Sequence, residues 1–110
     1  MAYDEDLANR IRELLGSESG VEEKRMFGGL AFLVDGNMSV AVSGQGGLLV
    51  RASSAEFESL LRRAHVHPMV MGGREVRGWL RVEAAGVRTK RQLQGWVNRG
   101  VGYARTLPPK

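Results

Sequence analysis

The stretch Leu30-Ala31-Phe32-Leu33-Val34-Asp35-Gly36-Asn37-Met38-Ser39-Val40-Ala41-Val42 decides the fold. Leu30, Phe32 and Val34 recur with period two, which puts them on one face of a strand. Asp35-Gly36-Asn37 carries hairpin-turn chemistry, because these residues tolerate positive φ. Met38, Val40 and Val42 then alternate with Ser39, Ala41 and Ser43 in a returning strand that the pattern predicts to be half-buried. A turn this short can join only antiparallel neighbours. Working outward, Glu22–Met26 reads as a preceding strand, set off by the bend Phe27-Gly28-Gly29. Gly44-Gln45-Gly46-Gly47 turns the chain again into Leu48–Arg51. The result is an antiparallel meander.

Helices bracket this meander. From Asp4 to Leu15 the apolar residues Leu7, Ile11, Leu14 and Leu15 form one stripe. Asp4, Glu5 and Asp6 complement the dipole at its start, and Gly16 is placed to stop it. A second helix is expected from Ser53 or Ser54, since Ser53 and Glu56 have capping-box spacing. Its inner stripe is Phe57, Leu60, Leu61 and Ala64. Pro68 is read as starting a short strand, Met69–Met71, which Gly72-Gly73 turns into Val76–Val82. Thr89 and Gln92 repeat the capping-box spacing and open a third helix, whose buried stripe is Leu93, Trp96, Val97, Gly100, Val101 and Ala104. Gly95, Gly100 and Gly102 each cost that helix about 1 kcal/mol relative to Ala. Their placement predicts close approach to another backbone, in this chain or in a second copy. The expected fold is α+β, a curled antiparallel meander of about six strands flanked by three helices, in one domain spanning residues 1–110.

Composition bounds the function. The chain has 110 residues, 43% of them apolar and 25% charged, which is ordinary for a globular domain. Without Cys there is no disulfide, thiolate metal site or cysteine nucleophile. No apolar run reaches the roughly 20 residues of a spanning helix, and the N-terminus is no signal peptide, so a cytoplasmic protein without membrane contact is expected. The net charge of +4 is unevenly divided. Residues 1–60 hold five Lys/Arg against ten Asp/Glu, whereas residues 61–110 hold eleven against two.

Enzymatic signatures are lacking. Both central Gly-rich stretches lead from strand to strand, so neither is a phosphate loop opening a helix. His65 and His67 have the spacing of a ligand pair, but Glu75 is the nearest acid and a metal site needs more. No Gly-x-Ser-x-Gly elbow occurs, and Glu22 and Glu23 point to opposite faces of their strand. No catalytic residue, cofactor or metal is expected. The remaining signal is basic: Arg62, Arg63, Arg74, Arg77, Trp79, Arg81, Arg88, Lys90 and Arg91 form a candidate anion or nucleic-acid face. Within it Arg77, Trp79 and Arg81 are predicted to share one strand face, with Trp79 free to stack on a base or an Arg plane.

Lys24-Arg25-Met26-Phe27-Gly28-Gly29-Leu30-Ala31-Phe32, followed by Asp35-Gly36-Asn37-Met38, resembles the signature of the TfoX/Sxy N-terminal domain. So do Pro68-Met69, the stretch from Gly73-Arg74 to Arg77-Gly78-Trp79, and the ending Tyr103-Ala104-Arg105-Thr106-Leu107-Pro108-Pro109-Lys110. The resemblance implies a curled antiparallel sheet flanked by helices. It also implies a transcription-associated regulator, since the family's best-known members control competence genes with a cyclic-AMP receptor protein at promoters. Full-length members add a C-terminal helical domain. This chain stops at Lys110, so a stand-alone first domain is expected. Met26, Phe27, Gly28 and Gly29 carry over as a structural motif, not as a catalytic site. The leading expectation is a non-enzymatic domain acting through protein contacts, including a homodimer. Direct nucleic-acid binding through the Arg-rich half is the alternative. A small-molecule sensor with a pocket between sheet and helices is the third.

Overall fold

The structure is a computed structural model and describes residues 3–26 and 28–110. The Phe27 part of the expected bend therefore lies outside the described residues. The chain runs α1 (Glu5–Leu14), β1 (Val21–Met26), β2 (Gly29–Val34), β3 (Asn37–Val42), β4 (Leu48–Arg51), α2 (Ser54–Leu61), β5 (Val66–Met71), β6 (Arg74–Val82), a single 3-10 turn at Ala84–Gly86, and α3 (Lys90–Arg105).

Each helix begins where its cap chemistry dictates. Asp4 accepts from the Leu7 amide, and Ser53 accepts from the Glu56 amide. At α3 the box is complete. Thr89 Oγ1 accepts from the Gln92 amide at 3.1 Å, while Gln92 Oε1 accepts from the Thr89 amide at 2.9 Å. Two otherwise orphaned donors are thereby satisfied.

All six strands form one antiparallel sheet in the order β1-β2-β3-β4-β6-β5. The β2–β3 turn has both Asp35 and Gly36 at positive φ, 52° and 85°, as a two-residue hairpin loop requires. After β4 the chain passes through α2 to the far edge, lays down β5, and returns as β6 beside β4. Pro68 sits in β5, an edge strand, where its missing N–H costs least.

One sheet face carries Leu30, Phe32, Val34, Val40, Val42, Leu48, Val50, Leu80 and Val82, all buried. The three helices cover it with Leu7, Ile11, Phe57, Leu60, Leu93, Trp96, Val97 and Val101. Gly100 explains how closely α3 approaches. A Cβ there would lie 2.5 Å from the Ser39 carbonyl oxygen and 2.7 Å from Val40 Cγ1. The close backbone approach foreseen for the glycines of α3 thus occurs within this chain at Gly100. Gly95 and Gly102 lie on the outer side, with nothing within 4 Å of an added Cβ.

Two irregularities break the period-two reading. Between Phe32 and Leu33 the β2–β3 register shifts, so that Leu33 pairs with Met38 but Phe32 pairs with Val40. Ser39 is the extra residue, and its hydroxyl donates to the Phe32 carbonyl at 2.9 Å. Met38 consequently leaves the face of Val40 and Val42, on which the alternation placed it. Strand β3 is also buried on both faces rather than half-buried, because Ser39, Ala41 and Ser43 are covered too. The second irregularity lies in β6, whose register against β5 shifts between Pro68 and Val70 while Gly78 takes φ 92°.

Candidate functional site: the methionine-lined face of the sheet

The sheet face turned away from the helices is equally apolar at its centre. Met26 of β1 pairs with Gly29, Met38 comes from β3 beside Ala41, and Leu49 from β4. Trp79 and Val76 of β6 and Met69 and Met71 of β5 complete a half-enclosed trough of about 220 Å³. Five inter-strand spacings of about 4.8 Å would hold β1 and β5 roughly 24 Å apart in a flat sheet. Residues of both strands nonetheless line this one small trough, so the sheet curls strongly, as expected from the sequence.

Met26, Met38, Met69 and Met71 are all the methionines after Met1, and all four point here. Unbranched, polarisable side chains can reshape around different apolar surfaces. Trp79 is half-buried at one end of the trough. The Arg51 guanidinium lies 5.6 Å from the Trp79 ring and 5.5 Å from the Tyr103 ring of α3, within cation–π range of both. At the Ser43–Gly44 end, Arg81 donates to Gln45 Oε1, to the Gln45 carbonyl and to the Gly46 carbonyl, each at 3.1 Å. These contacts hold the β3–β4 loop against β6.

The nine residues of the expected basic face do not converge. Arg77, Trp79 and Arg81 do not form one regular strand face, because Gly78 takes φ 92° between the first two, although Arg77 and Trp79 both border one hollow with Arg51 and Tyr103. Arg77 lies 5.2 Å from the Phe57 ring and pairs with Glu58 at 3.3 Å, both on α2. Trp79 and Arg81 flank the core residue Leu80 and stay on the trough side. Arg74 follows the Gly72-Gly73 turn, paired in register with Met71. Arg62 and Arg63 follow α2, and Arg63 stacks 4.6 Å from the Trp96 ring. Arg88, Lys90 and Arg91 lie at the start of α3, where Arg10 of α1 donates to the Arg88 carbonyl at 3.0 Å. The nine therefore divide between the trough, the β5–β6 hairpin and the helical layer.

Other charged groups have structural roles. Arg12 grips both Glu23 oxygens at 2.7 Å, and this charge-assisted pair holds the Glu23 carboxyl below the usual carboxylate range. Arg99 pairs with Glu56, and Arg105 with Glu18 and Asp35. His67 meets Glu83 at 2.6 Å and lowers the Glu83 pKa through that hydrogen bond. His65 precedes β5 at φ 68°, so the two histidines do not form the strand pair their spacing suggested. Among the described residues no group of three His, Asp or Glu side chains could hold a metal. The apolar trough lies across the sheet from the helices; a separate hollow of about 280 Å³ lies between sheet and helices, as the sensor reading expected, bordered by Arg51, Arg77 and Trp79 of the sheet, Ser54 of α2 and Tyr103 of α3. The sequence reading missed Met38, Met69, Met71, Leu49 and Arg51 as neighbours of Trp79. They come from three strands, β3, β4 and β5, and only the pairing register brings them to Trp79 of β6.

Fold and site together define an α+β domain whose curled six-stranded sheet buries one face under three helices and leaves the other as an open apolar trough. The TfoX N-terminal domain family matches residues 13–104, most of the chain. The chain belongs to that family. No curated protein and no solved structure gives a significant match. Among the described residues no helix is long and apolar enough to cross a membrane.

Proposed function

We propose that this chain is a non-enzymatic regulatory domain that acts by contacting another protein, and that it does so with the open face of its sheet. The observation that carries this reading is the trough itself. It is a half-enclosed apolar hollow of four methionines, Leu49, Val76 and Trp79, lined by strand and loop residues and by none of the three helices. Contiguous apolar surface rimmed by polar groups marks interaction sites, and Trp, Met and Arg are the side chains enriched in them. Family membership supports a regulatory role.

Affinity capture from native lysate of the source organism, with and without nuclease, tests this. A protein retained after nuclease treatment, and lost when Leu49→Lys places a charge in the trough, is the expected result. Complete loss of the captured proteins on nuclease treatment contradicts it.

A second reading, direct nucleic-acid contact, is favoured by one observation. Arg88, Lys90 and Arg91 crowd the α3 N-terminus, and among the described residues none of them has an ion-pair partner. Its test is a mobility shift at low salt whose affinity falls steeply as salt rises.

A further inference from the structure

The charges around the trough say what kind of segment would occupy it. Arg51 is positioned by two aromatic rings, and Arg81 by three neutral oxygen acceptors of the β3–β4 loop. Arg74 stands beside Met71 at the hairpin tip. None of the three makes an ion pair among the described residues. Rings and carbonyls orient a guanidinium without cancelling its charge. On the helix side Arg12, Arg77, Arg99 and Arg105 are paired with carboxylates, while Arg63 lies over the Trp96 ring and Arg88, Lys90 and Arg91 make no ion pair among the described residues. Lys24 adds a fourth cation on the same face, in register with Ala31. The acids on that face are Glu22, in register with Leu33 toward the outer end of β1, and Glu83, which hydrogen-bonds His67 and also feels the charge of Arg81.

Resting on the reading above, we propose that the occupant is a peptide segment of the partner that seats apolar side chains among the methionines and carries Asp or Glu on its flanks. Arg81 stands at the loop end of the trough and Arg74 at the hairpin tip, while Arg51 lies against Trp79 in the neighbouring hollow that Tyr103 of α3 also borders. Acidic residues spaced along a peptide can meet cations at the loop end and at the hairpin tip alike. The trough's volume of about 220 Å³ suits a few anchoring side chains. Methionine plasticity would let it accept them without strict shape matching.

Selection of a random 16-residue phage-displayed peptide library on the folded domain tests the occupant's chemistry. Recovered peptides are expected to combine two or more large apolar residues with an excess of Asp and Glu. Synthetic copies should bind about tenfold more weakly to Met71→Asp and to Arg74→Glu, both at the exposed hairpin, where the fold tolerates change. Binding should also weaken several-fold as salt rises from about 50 to 300 mM, through screening of the rim charges. Quenching of Trp79 fluorescence, read against the unchanging emission of the buried Trp96, places the peptide. Peptides with no acidic excess, peptides indifferent to both substitutions, or no enriched peptides at all would overturn the proposal. If lysate capture still yields a nuclease-resistant partner sensitive to Leu49→Lys, the acidic occupant fails while the protein-contact reading stands. If capture yields no such partner, that reading fails by itself.

Discussion

Replacing Gly100 with Ala puts a methyl carbon 2.5 Å from the Ser39 carbonyl oxygen, 2.7 Å from Val40 Cγ1 and 3.1 Å from the Ser39 carbonyl carbon. Two of these neighbours are backbone of β3, inside the sheet, so the helix or the strand has to move. Overpacking of this kind costs about 1–3 kcal/mol, and a backbone contact this close belongs at the upper end. Against it stands the helix-propensity gain of Ala over Gly, about 1 kcal/mol. The net is a loss of roughly 1–2 kcal/mol, which lowers Tm by about 5–15 °C in a domain of this size. Gly95→Ala and Gly102→Ala lie on the same helix, but nothing stands within 4 Å of their added Cβ atoms. Each should gain up to about 1 kcal/mol and raise Tm by about 4–8 °C. Urea denaturation of the four proteins, checked by calorimetry, reads these differences. If Gly100→Ala is as stable as Gly95→Ala, the packing of α3 on β3 is not as described.

Thr89→Ala removes the side-chain half of the α3 capping box and should cost about 1 kcal/mol, read as a lower urea midpoint with an unchanged slope. A midpoint equal to the wild type would show that the box is not formed in solution. The Arg12–Glu23 pair sets a pH dependence. The Glu23 pKa is lowered in the fold by the Arg12 hydrogen bond, so its stabilisation is present above the unfolded carboxylate pKa and is lost as pH falls through the folded value. Glu23→Gln should therefore differ from wild type in urea midpoint at neutral pH and converge with it as the pH falls through the lowered folded pKa of Glu23, below which both carry an uncharged side chain. A difference that persists unchanged in acid would contradict the pairing.

The parts of this fold that were legible in the sequence are those set by neighbours along the chain. Thr89 and Gln92, Ser53 and Glu56, and Asp35-Gly36 determine caps and a turn within four residues, and each appears where its chemistry predicts. The bulge at Ser39 was not legible, because one inserted residue leaves the apolar/polar alternation nearly unchanged while moving Met38 to the other face. Gly78 likewise separates Arg77 from Trp79 through a backbone angle that the pattern of side chains does not reveal. The trough was hidden for a further reason. Met26, Met38, Leu49, Met69 and Trp79 are scattered over five strands, and an apolar residue reads the same whichever face it occupies. Charge segregation along the chain was visible, but its segregation in space was not. The C-terminal arginines pair with acids of the N-terminal half, as Arg99 does with Glu56 and Arg105 with Glu18.

Methionine-methyl NMR of the domain, labelled with 13C at those methyls and titrated with the protein partner recovered by affinity capture, reads the open sheet face directly. The signals of Met26, Met38, Met69 and Met71 should shift together at saturation, while Ala8 and Ala104 methyls in the helical layer, followed in a parallel alanine-labelled sample, hold their positions. Methionine signals that stay in place with the partner fully bound would show that it docks somewhere other than the trough.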